Sequence, residues 1–435
     1  MPPKELIVKQ EHLKLPKEFY SLPFNEGSHR LSINTLNKHT EFRFVRRPYL
    51  IIRVRFLSFE NEVLTLGVKL GGEDEERVYL RVKTTVLLVS CSVDTTSDFL
   101  SRTAYFCLYH LLHVHDYYDF HKYYWPDFFD PETGKSKFLY TKSDNYGVKT
   151  IIKAGYSFFY KPGMELPDPL VHLRRPVQEP MEKTEGIDPD NQHAIGYCLA
   201  DMTMASWNSP HYPFLLPYCA TLTKDKTAVK GYTDFITPQK PVQVPGFTPS
   251  QERLNELCFK MRETAPFEIA GLREGELHYH QVRAKNAHNK ERLFALWQEA
   301  FPLLQSQLFT NYFYTYGMKN VKGKPRKKDM ECCSFSSDAP ELYFLWTDKA
   351  DHYELDLRFK AGNKKYVPAG RNTCFFMNST VEPLKFYLLN NPADYQIASF
   401  FAQYKFRLSV LKVHYEGYFE SFMKRLTEVY MIQTG

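Results

Sequence analysis

Residues 77–112 constrain the fold more than any other stretch, because the spacing of buried-type residues changes there from two to three and four. Val78, Leu80 and Val82 alternate with charged residues and tyrosine, which predicts a strand with one buried face. The β-branched run that follows predicts a partner strand. A turn containing Cys91 comes next. A helical stripe then follows, formed by Leu100, Thr103, Ala104, Cys107, Leu108 and Leu111.

Hairpin, cysteine turn and helix in this order resemble the SWIM-type zinc module, whose pattern is Cys-x-Cys, a variable gap, and Cys-x-His. Cys91 stands at the first cysteine position, whereas Val93, Ser101 and Thr103 occupy the other three. A structural zinc site needs four ligands, and one thiolate cannot hold it. The resemblance implies a module that keeps its hydrophobic packing without metal, so no cofactor is expected. An ordinary hairpin packed on a helix is the alternative interpretation.

A wider resemblance covers roughly residues 47–430. The hairpin and helix, together with the phrases FLLPYCATLTKDKTAVKGYTDF and ELYFLWTDKADHYELDLRFK, are similar to the accessory region that precedes the motor in bacterial Swi/Snf-type helicases. The family implies an arm that helps a motor to grip DNA or a partner protein. A Walker-type glycine loop with Lys followed by Ser or Thr is missing, so the chain cannot be an ATP-driven translocase on its own.

The composition indicates a folded protein of a reducing compartment. A chain of 435 residues can form two or three domains, and 43% hydrophobic residues exclude disorder on a large scale. The net charge of +6 permits nucleic-acid contact without requiring it. The eight cysteines form no Cys-x-x-Cys pair, the first twenty residues carry seven charges, and no apolar run reaches bilayer length. We therefore expect a soluble, cytoplasmic protein without membrane contact.

Proline-rich stretches divide the chain into four predicted segments. These are an N-terminal arm (1–46), a SWIM-like β-meander and helix module (47–160), a proline-linked β segment (161–247) and an α+β C-terminal domain (248–435). In the last segment, polar caps and proline at 248–252 predict a helix start, and strands and helices alternate from residue 341. The predicted class is multi-domain α+β.

A run of basic residues at 319–328 predicts a nucleic-acid contact. Glycine and proline within the run predict a flexible loop, which follows the aromatic residues 312–316. Ammonium and guanidinium groups can neutralise phosphates, and nearby tyrosine rings can stack on bases. A solvated loop without a partner is the alternative. We call these residues the basic segment: Lys319, Lys322, Lys324, Arg326, Lys327 and Lys328.

Histidines and aspartates around the end of the first helix raise the question of a metal site. The histidines are His110, His113, His115 and His121, and the aspartates are Asp116, Asp119 and Asp127. Two imidazoles three residues apart on a helix, with a carboxylate, can face one ion. A signature such as His-Glu-x-x-His is missing, and half-buried side chains in an aromatic helix extension explain the same pattern. No metal ligand is predicted.

The leading functional interpretation is a non-enzymatic binding or scaffold subunit of a cytoplasmic assembly. We expect protein partners, with DNA or RNA as a further partner. Neither a Gly-x-Ser-x-Gly elbow nor a dinucleotide fingerprint occurs, and no catalytic residue is predicted. Two alternatives stay open: a metal-dependent hydrolase or nuclease that uses the histidines and Asp119 of residues 110–121, and a scaffold that binds only proteins.

Overall fold

The chain divides into two compact units. A computed structural model describes residues 16, 18–40, 50–93, 97–113, 116–144, 147–169, 192–202, 213–238, 248–264, 277–315, 324–368, 374–378 and 380–435. The first unit comprises Met1–Met164 with Ser409–Tyr418, and the second comprises Glu165–Leu408 with Phe419–Gly435. Helices make up 27% of the chain and strands 39%, which confirms the predicted multi-domain α+β class.

The first unit is built on an antiparallel five-stranded sheet. The strands of the whole unit are β1 Tyr20–Pro23, β2 Arg30–Ser32, β3 Ile52–Glu60, β4 Val63–Leu70, β5 Glu76–Val82, β6 Val86–Cys91, β7 Tyr117–Asp119, β8 Leu139–Asp144, β9 Gly147–Ile152 and β10 Phe158–Phe159. Its helices are α1 Ile33–Lys38 and α2 Arg102–Leu112, and a 3-10 turn spans His121–Tyr123. The sheet order is β1-β6-β5-β4-β3, while β2 pairs with β7 and β8 with β9.

The predicted hairpin and helix are present. In the β5–β6 hairpin Val78 lies opposite Cys91 and Leu80 opposite Val89. The helix α2 packs on both strands and buries Cys107. Burial and the nearby Cys91 raise the pKa of the Cys107 thiol, so it stays protonated. The pair behaves as apolar packing, and the relation to the SWIM module stays a prediction.

The described part of the predicted arm, within 1–46, packs in the first unit. Strand β1 pairs with β6, where Leu22 lies opposite Leu87, and both leucines are fully buried. Helix α1 buries Leu36 and contacts α2. The few apolar residues of this polar segment show no regular spacing. Its packing in the first unit could therefore not be predicted from the sequence.

The second unit contains the remaining strands and the longer helices. Its strands are β11 His193–Met202, β12 Phe214–Leu222, β13 Val229–Phe235, β14 Thr310–Thr315, β15 Met330–Phe335, β16 Glu341–Asp348, β17 His352–Ala361, β18 Lys364–Tyr366, β19 Phe375–Asn378, β20 Leu384–Leu388, β21 Arg407–Leu411 and β22 Met431–Thr434. Its helices are α3 Pro249–Thr264, α4 Leu277–Gln305 and α5 Pro392–Ala402. After β21 the chain forms a short helix, α6 Lys412–His414, and a π-helical turn, Tyr415–Phe419, and it then enters the last helix of the second unit, α7 Glu420–Val429. The division between the units falls within β21, so α6 belongs to the first unit.

A mixed seven-stranded sheet crosses the predicted boundary at residue 247. Its order is β13-β12-β11-β14-β15-β20-β19, and β11 pairs with β14 in parallel. The segments predicted as 161–247 and 248–435 therefore share one sheet. Proline-rich sequence marks an irregular connection, and it carries no information on whether the flanking strands pair.

Close packing fixes the centre of this sheet. Gly196 lies opposite Tyr218, and a Cβ at Gly196 would come within 2.2 Å of the Tyr218 ring. The Tyr218 hydroxyl donates to Asn311 Oδ1 on β14 at 2.5 Å, which ties three strands together. Helix α4 runs through Pro302 to Gln305. Within the described ranges no helix is long and apolar enough to cross a membrane.

A second sheet of this unit contains β17, β16 and β22, and β18 also pairs with β17. Asn391 caps the start of helix α5, because its side-chain oxygen accepts a hydrogen bond from Asp394 N at 2.8 Å. The buried Asp394 carboxylate accepts the Tyr430 hydroxyl at 2.9 Å. The end of α7 is thereby held to the start of α5.

Candidate functional sites

Four members of the basic segment lie together on one exposed turn before β15. Lys324, Arg326, Lys327 and Lys328 are exposed, and the last two begin a 3-10 turn, Lys327–Asp329. Arg326 Nε pairs with Asp329 Oδ2 at 2.5 Å. The three lysine ammonium groups make no ion pair within the described part of the chain. Lys319 and Lys322 lie outside the described residues.

The turn is anchored to the sheet and not suspended from it. Pro325 is buried and Met330 begins β15, which pairs with β14 at Phe313. An anchored turn loses less conformational entropy on binding than a free loop does. The arrangement can therefore present several cations to a polyanion at small ordering cost.

The histidines predicted as one cluster fall into separate groups. His110 and His113 lie at the end of α2 with ring centroids 5.4 Å apart, and His113 Nδ1 donates to the His110 carbonyl at 2.7 Å. They border a pocket of about 180 Å³ that Leu50, Ile52, Tyr105, Phe106 and Tyr109 also line. Partial burial, and next the neighbouring His113, lower the pKa of His110. His115 lies outside the described residues.

His121 pairs with a histidine that the sequence analysis did not consider. Strand β2 pairs with β7 so that Arg30 lies opposite Asp119, and Phe120 N donates to the His29 carbonyl at 2.9 Å. This register places His29 Nδ1 3.3 Å from His121 Nδ1, so one ring donates to the other. Asp119 Oδ1 accepts from His121 N at 2.8 Å.

The aspartates are also committed elsewhere. Asp119 Oδ2 lies 3.6 Å from Arg30 Nε, and Asp127 Oδ2 accepts from His414 Nε2 at 3.0 Å. Asp127 N donates in turn to Glu62 Oε1 at 2.7 Å. Over the ranges that the structure describes, no three His, Cys, Asp or Glu side chains could hold one metal ion.

A buried lysine stands beside the second histidine pair. Lys161 follows β10, its side chain is 5% exposed, and its Nζ lies 3.7 Å from the centre of the Trp125 ring. Trp125 Nε1 donates to the Lys122 carbonyl at 2.9 Å, which fixes the indole. Backbone bonds hold Lys161 as well: Met164 N donates to its carbonyl at 3.0 Å.

Tyr124 completes the group, which we call the lysine cluster: Lys161, His29, His121, Tyr124 and Trp125. The Tyr124 ring lies 4.3 Å from the His29 ring, and its hydroxyl shares a hydrogen bond of 3.0 Å with the Thr84 hydroxyl. His29 Nε2 is buried and finds no hydrogen-bond partner within the described ranges. All of these residues belong to the first unit.

Burial and mutual repulsion favour the neutral forms in this cluster. Burial lowers the pKa of Lys161 to about 7. The pKa of His29 is lowered to about 4, mainly by burial and secondly by the charge of His121. The carboxylate of Asp119 opposes this shift with a smaller effect. Partial burial and then Lys161 lower the pKa of His121. Such shifts mark functional groups more often than ordinary surface residues.

No family model matches the chain, and neither does any curated protein or solved structure. The sites are therefore argued from their own geometry.

The lysine cluster gave only a weak signal in the sequence. Lys161 directly follows the aromatic-rich residues 156–160 and precedes Pro162. His29 stands alone in a polar stretch, and its proximity to His121 arises from the β2–β7 pairing across about ninety residues. Periodicity reports local structure and could not bring these residues together.

Proposed function

We propose that the protein is a non-enzymatic binding subunit of a cytoplasmic assembly and that its basic segment contacts the phosphates of DNA or RNA. The supporting observation is the exposed, anchored turn on which Lys324, Lys327 and Lys328 lie without a carboxylate partner among the residues described. Cations on a fixed turn displace the counterions of a nucleic acid, and this supplies sequence-independent affinity. None of the eight cysteines, all of which the structure describes, forms a disulfide, and this fits a reducing compartment.

The metal-dependent hydrolase or nuclease is less well supported. It needs histidines of residues 110–121, chiefly His113, His115 and His121, together with Asp119 around one ion. His115 lies outside the described residues, His121 contacts His29, and His113 lies against His110 at the end of α2. Asp119 is engaged by Arg30 and by the backbone of His121.

Neutralising the basic segment tests the proposal. We expect Lys324→Gln, Lys327→Gln and Lys328→Gln together to weaken binding to a duplex and to a single strand. We also expect the plot of log affinity against log salt to flatten by about 2 to 3 in slope, since each phosphate contact contributes about 0.7 to 0.9. The measurement is fluorescence anisotropy over a range of salt concentrations.

The matched control carries the same charge change elsewhere in the second unit, at the exposed Lys224, Lys260 and Lys364. Its salt slope should equal that of the unmodified chain. Equal slopes for both triple variants would exclude the basic segment from binding. A scaffold that binds only proteins would be indicated by two results together. The chain would not bind DNA or RNA, and a protein partner would co-purify with it from cell extract equally well with and without nuclease.

A further inference from the structure

The charge of Lys161 is not balanced by any described side chain. Lys161 is 5% exposed, and within the described ranges its ammonium has neither a hydrogen bond nor a carboxylate partner, only the Trp125 ring face. Cation–π contact offsets part of the lost hydration of an ammonium, and the charge itself stays uncompensated. Buried lysines of folded proteins are normally paired.

One buried polar atom of the same cluster has no hydrogen-bond partner within the part of the chain that the structure describes. His29 Nε2 has no hydrogen-bond partner among the described residues, although its Nδ1 faces His121. Buried atoms of this kind are uncommon in folded proteins, and a bound water or ion is one of the explanations for them. A water molecule would complete the hydrogen bond of His29, yet it would leave the Lys161 charge in place.

Exposure decreases step by step along the cluster. His121 is exposed, His29 is half-buried and Lys161 is buried. The charge of Lys161 acts on both histidines, so the three groups lie within electrostatic range of one another. The charge of Asp119 acts to raise the pKa of both histidines, against the larger lowering effects. Its carboxylate oxygens contact Arg30 and the backbone N of His121.

We propose that Lys161, His29 and His121 form a binding site for a phosphate-type oxyanion in the first unit. The oxyanion supplies a negative charge that balances the Lys161 ammonium. It also supplies acceptor oxygens for the hydrogen bonds that the ammonium and protonated imidazoles donate. A low-dielectric site strengthens each of these bonds. Binding draws protons onto the cluster, because a bound anion favours the charged form of each group. The site does not depend on the basic segment, which lies in the other unit.

Calorimetry on the full chain tests the site with inorganic phosphate, sulfate and phenyl phosphate. Lys161→Met should weaken phosphate binding about tenfold to a hundredfold, the usual effect of losing a charge-assisted hydrogen bond. Lys122→Met is the control, because Lys122 is an exposed lysine in the same 3-10 turn as His121. It should bind like the unmodified chain. His29→Gln, at a less buried position, gives a second reading of the site should Lys161→Met fold poorly.

Sulfate separates the titration of the site from that of the ligand, since its own charge is constant above about pH 3. Its affinity should fall as the pH rises from about 6 to about 9, because Lys161 loses its proton near 7. Binding of phenyl phosphate at least as tight as that of phosphate would assign the site to a phosphate ester, and weaker binding would assign it to the free ion. The proposal would be overturned if neither phosphate nor sulfate bound. It would also be overturned if Lys161→Met and His29→Gln both bound phosphate as tightly as the unmodified chain does.

Discussion

At the scale of the single residue, burial of the Lys161 ammonium costs free energy of desolvation. An ammonium taken from water into an apolar site without a counterion loses solvation that a ring face only partly replaces. A methionine of similar length would occupy the same space next to Trp125 at no such cost. A lysine at this position is therefore better explained by binding than by stability.

Stability should consequently depend on pH through this residue. The pKa of Lys161 is lowered from 10.5 to about 7, so between these values the unfolded chain binds the proton that the folded chain has lost. The free energy of unfolding of the first unit then rises with pH across this window, with a slope of up to about 1.4 kcal/mol per pH unit. Below about pH 7 both states carry the proton and the cost of burial is fully present.

We expect Lys161→Met to remove this slope and to raise the free energy of unfolding at neutral pH by about 1 to 3 kcal/mol. Urea denaturation followed by tryptophan fluorescence at several pH values measures both effects. Lys122→Met should keep the slope, because its side chain is exposed. A slope unchanged in Lys161→Met would show that the ammonium stays charged in the folded protein.

At the scale of the element, the start of α2 depends on one hydroxyl. Ser101 Oγ accepts from Ala104 N at 3.1 Å and satisfies a backbone donor that the helix leaves open. Ser101→Ala should lower the free energy of unfolding by about 1 kcal/mol, whereas Ser101→Asp should retain most of the cap. Thermal denaturation of the two variants checks this. Equal losses would indicate that the burial of Ser101 matters more than its hydrogen bond.

Elements with a strong local pattern were predictable, and their partners were not. The hairpin β5–β6, the helix α2 and the proline-initiated helix α3 were predicted from the sequence and are confirmed. Hydrophobic period and capping residues act within a few positions, so they are visible in the chain itself. The pairing of β1 with β6, or of β11 with β14, depends on contacts distant in sequence.

The same distinction applies to the candidate sites. The basic segment was identified from composition alone, because exposed charge needs no partner to be recognised. His110 and His113 were adjacent by helical spacing and do lie together. The lysine cluster required the register of β2 against β7 and the position of Lys161 after β10, and neither is encoded in a local pattern.

At the scale of the whole molecule, the chain returns to its first unit near its end. Ser409–Tyr418 belongs with Met1–Met164, although residues on both sides belong to the second unit. Tyr160 N donates to Ser409 O at 2.7 Å, and His414 Nε2 donates to Asp127 Oδ2 at 3.0 Å. The first unit is therefore discontinuous in sequence and is complete only when nearly all of the chain is present.

Leu411 provides a test of this arrangement. It is 3% exposed and lies in the core of the first unit with residues such as Phe128 and Phe159. We expect Leu411→Ala to destabilise that unit by about 2 to 5 kcal/mol and to speed amide exchange in β4, β5 and α2 by about thirtyfold or more, far from the substitution in sequence. Leu355→Ala, at an equally buried position of β17, should speed exchange within the second unit instead. Hydrogen exchange read by mass spectrometry separates the two patterns, and faster exchange confined to the second unit in Leu411→Ala would place the returning segment there.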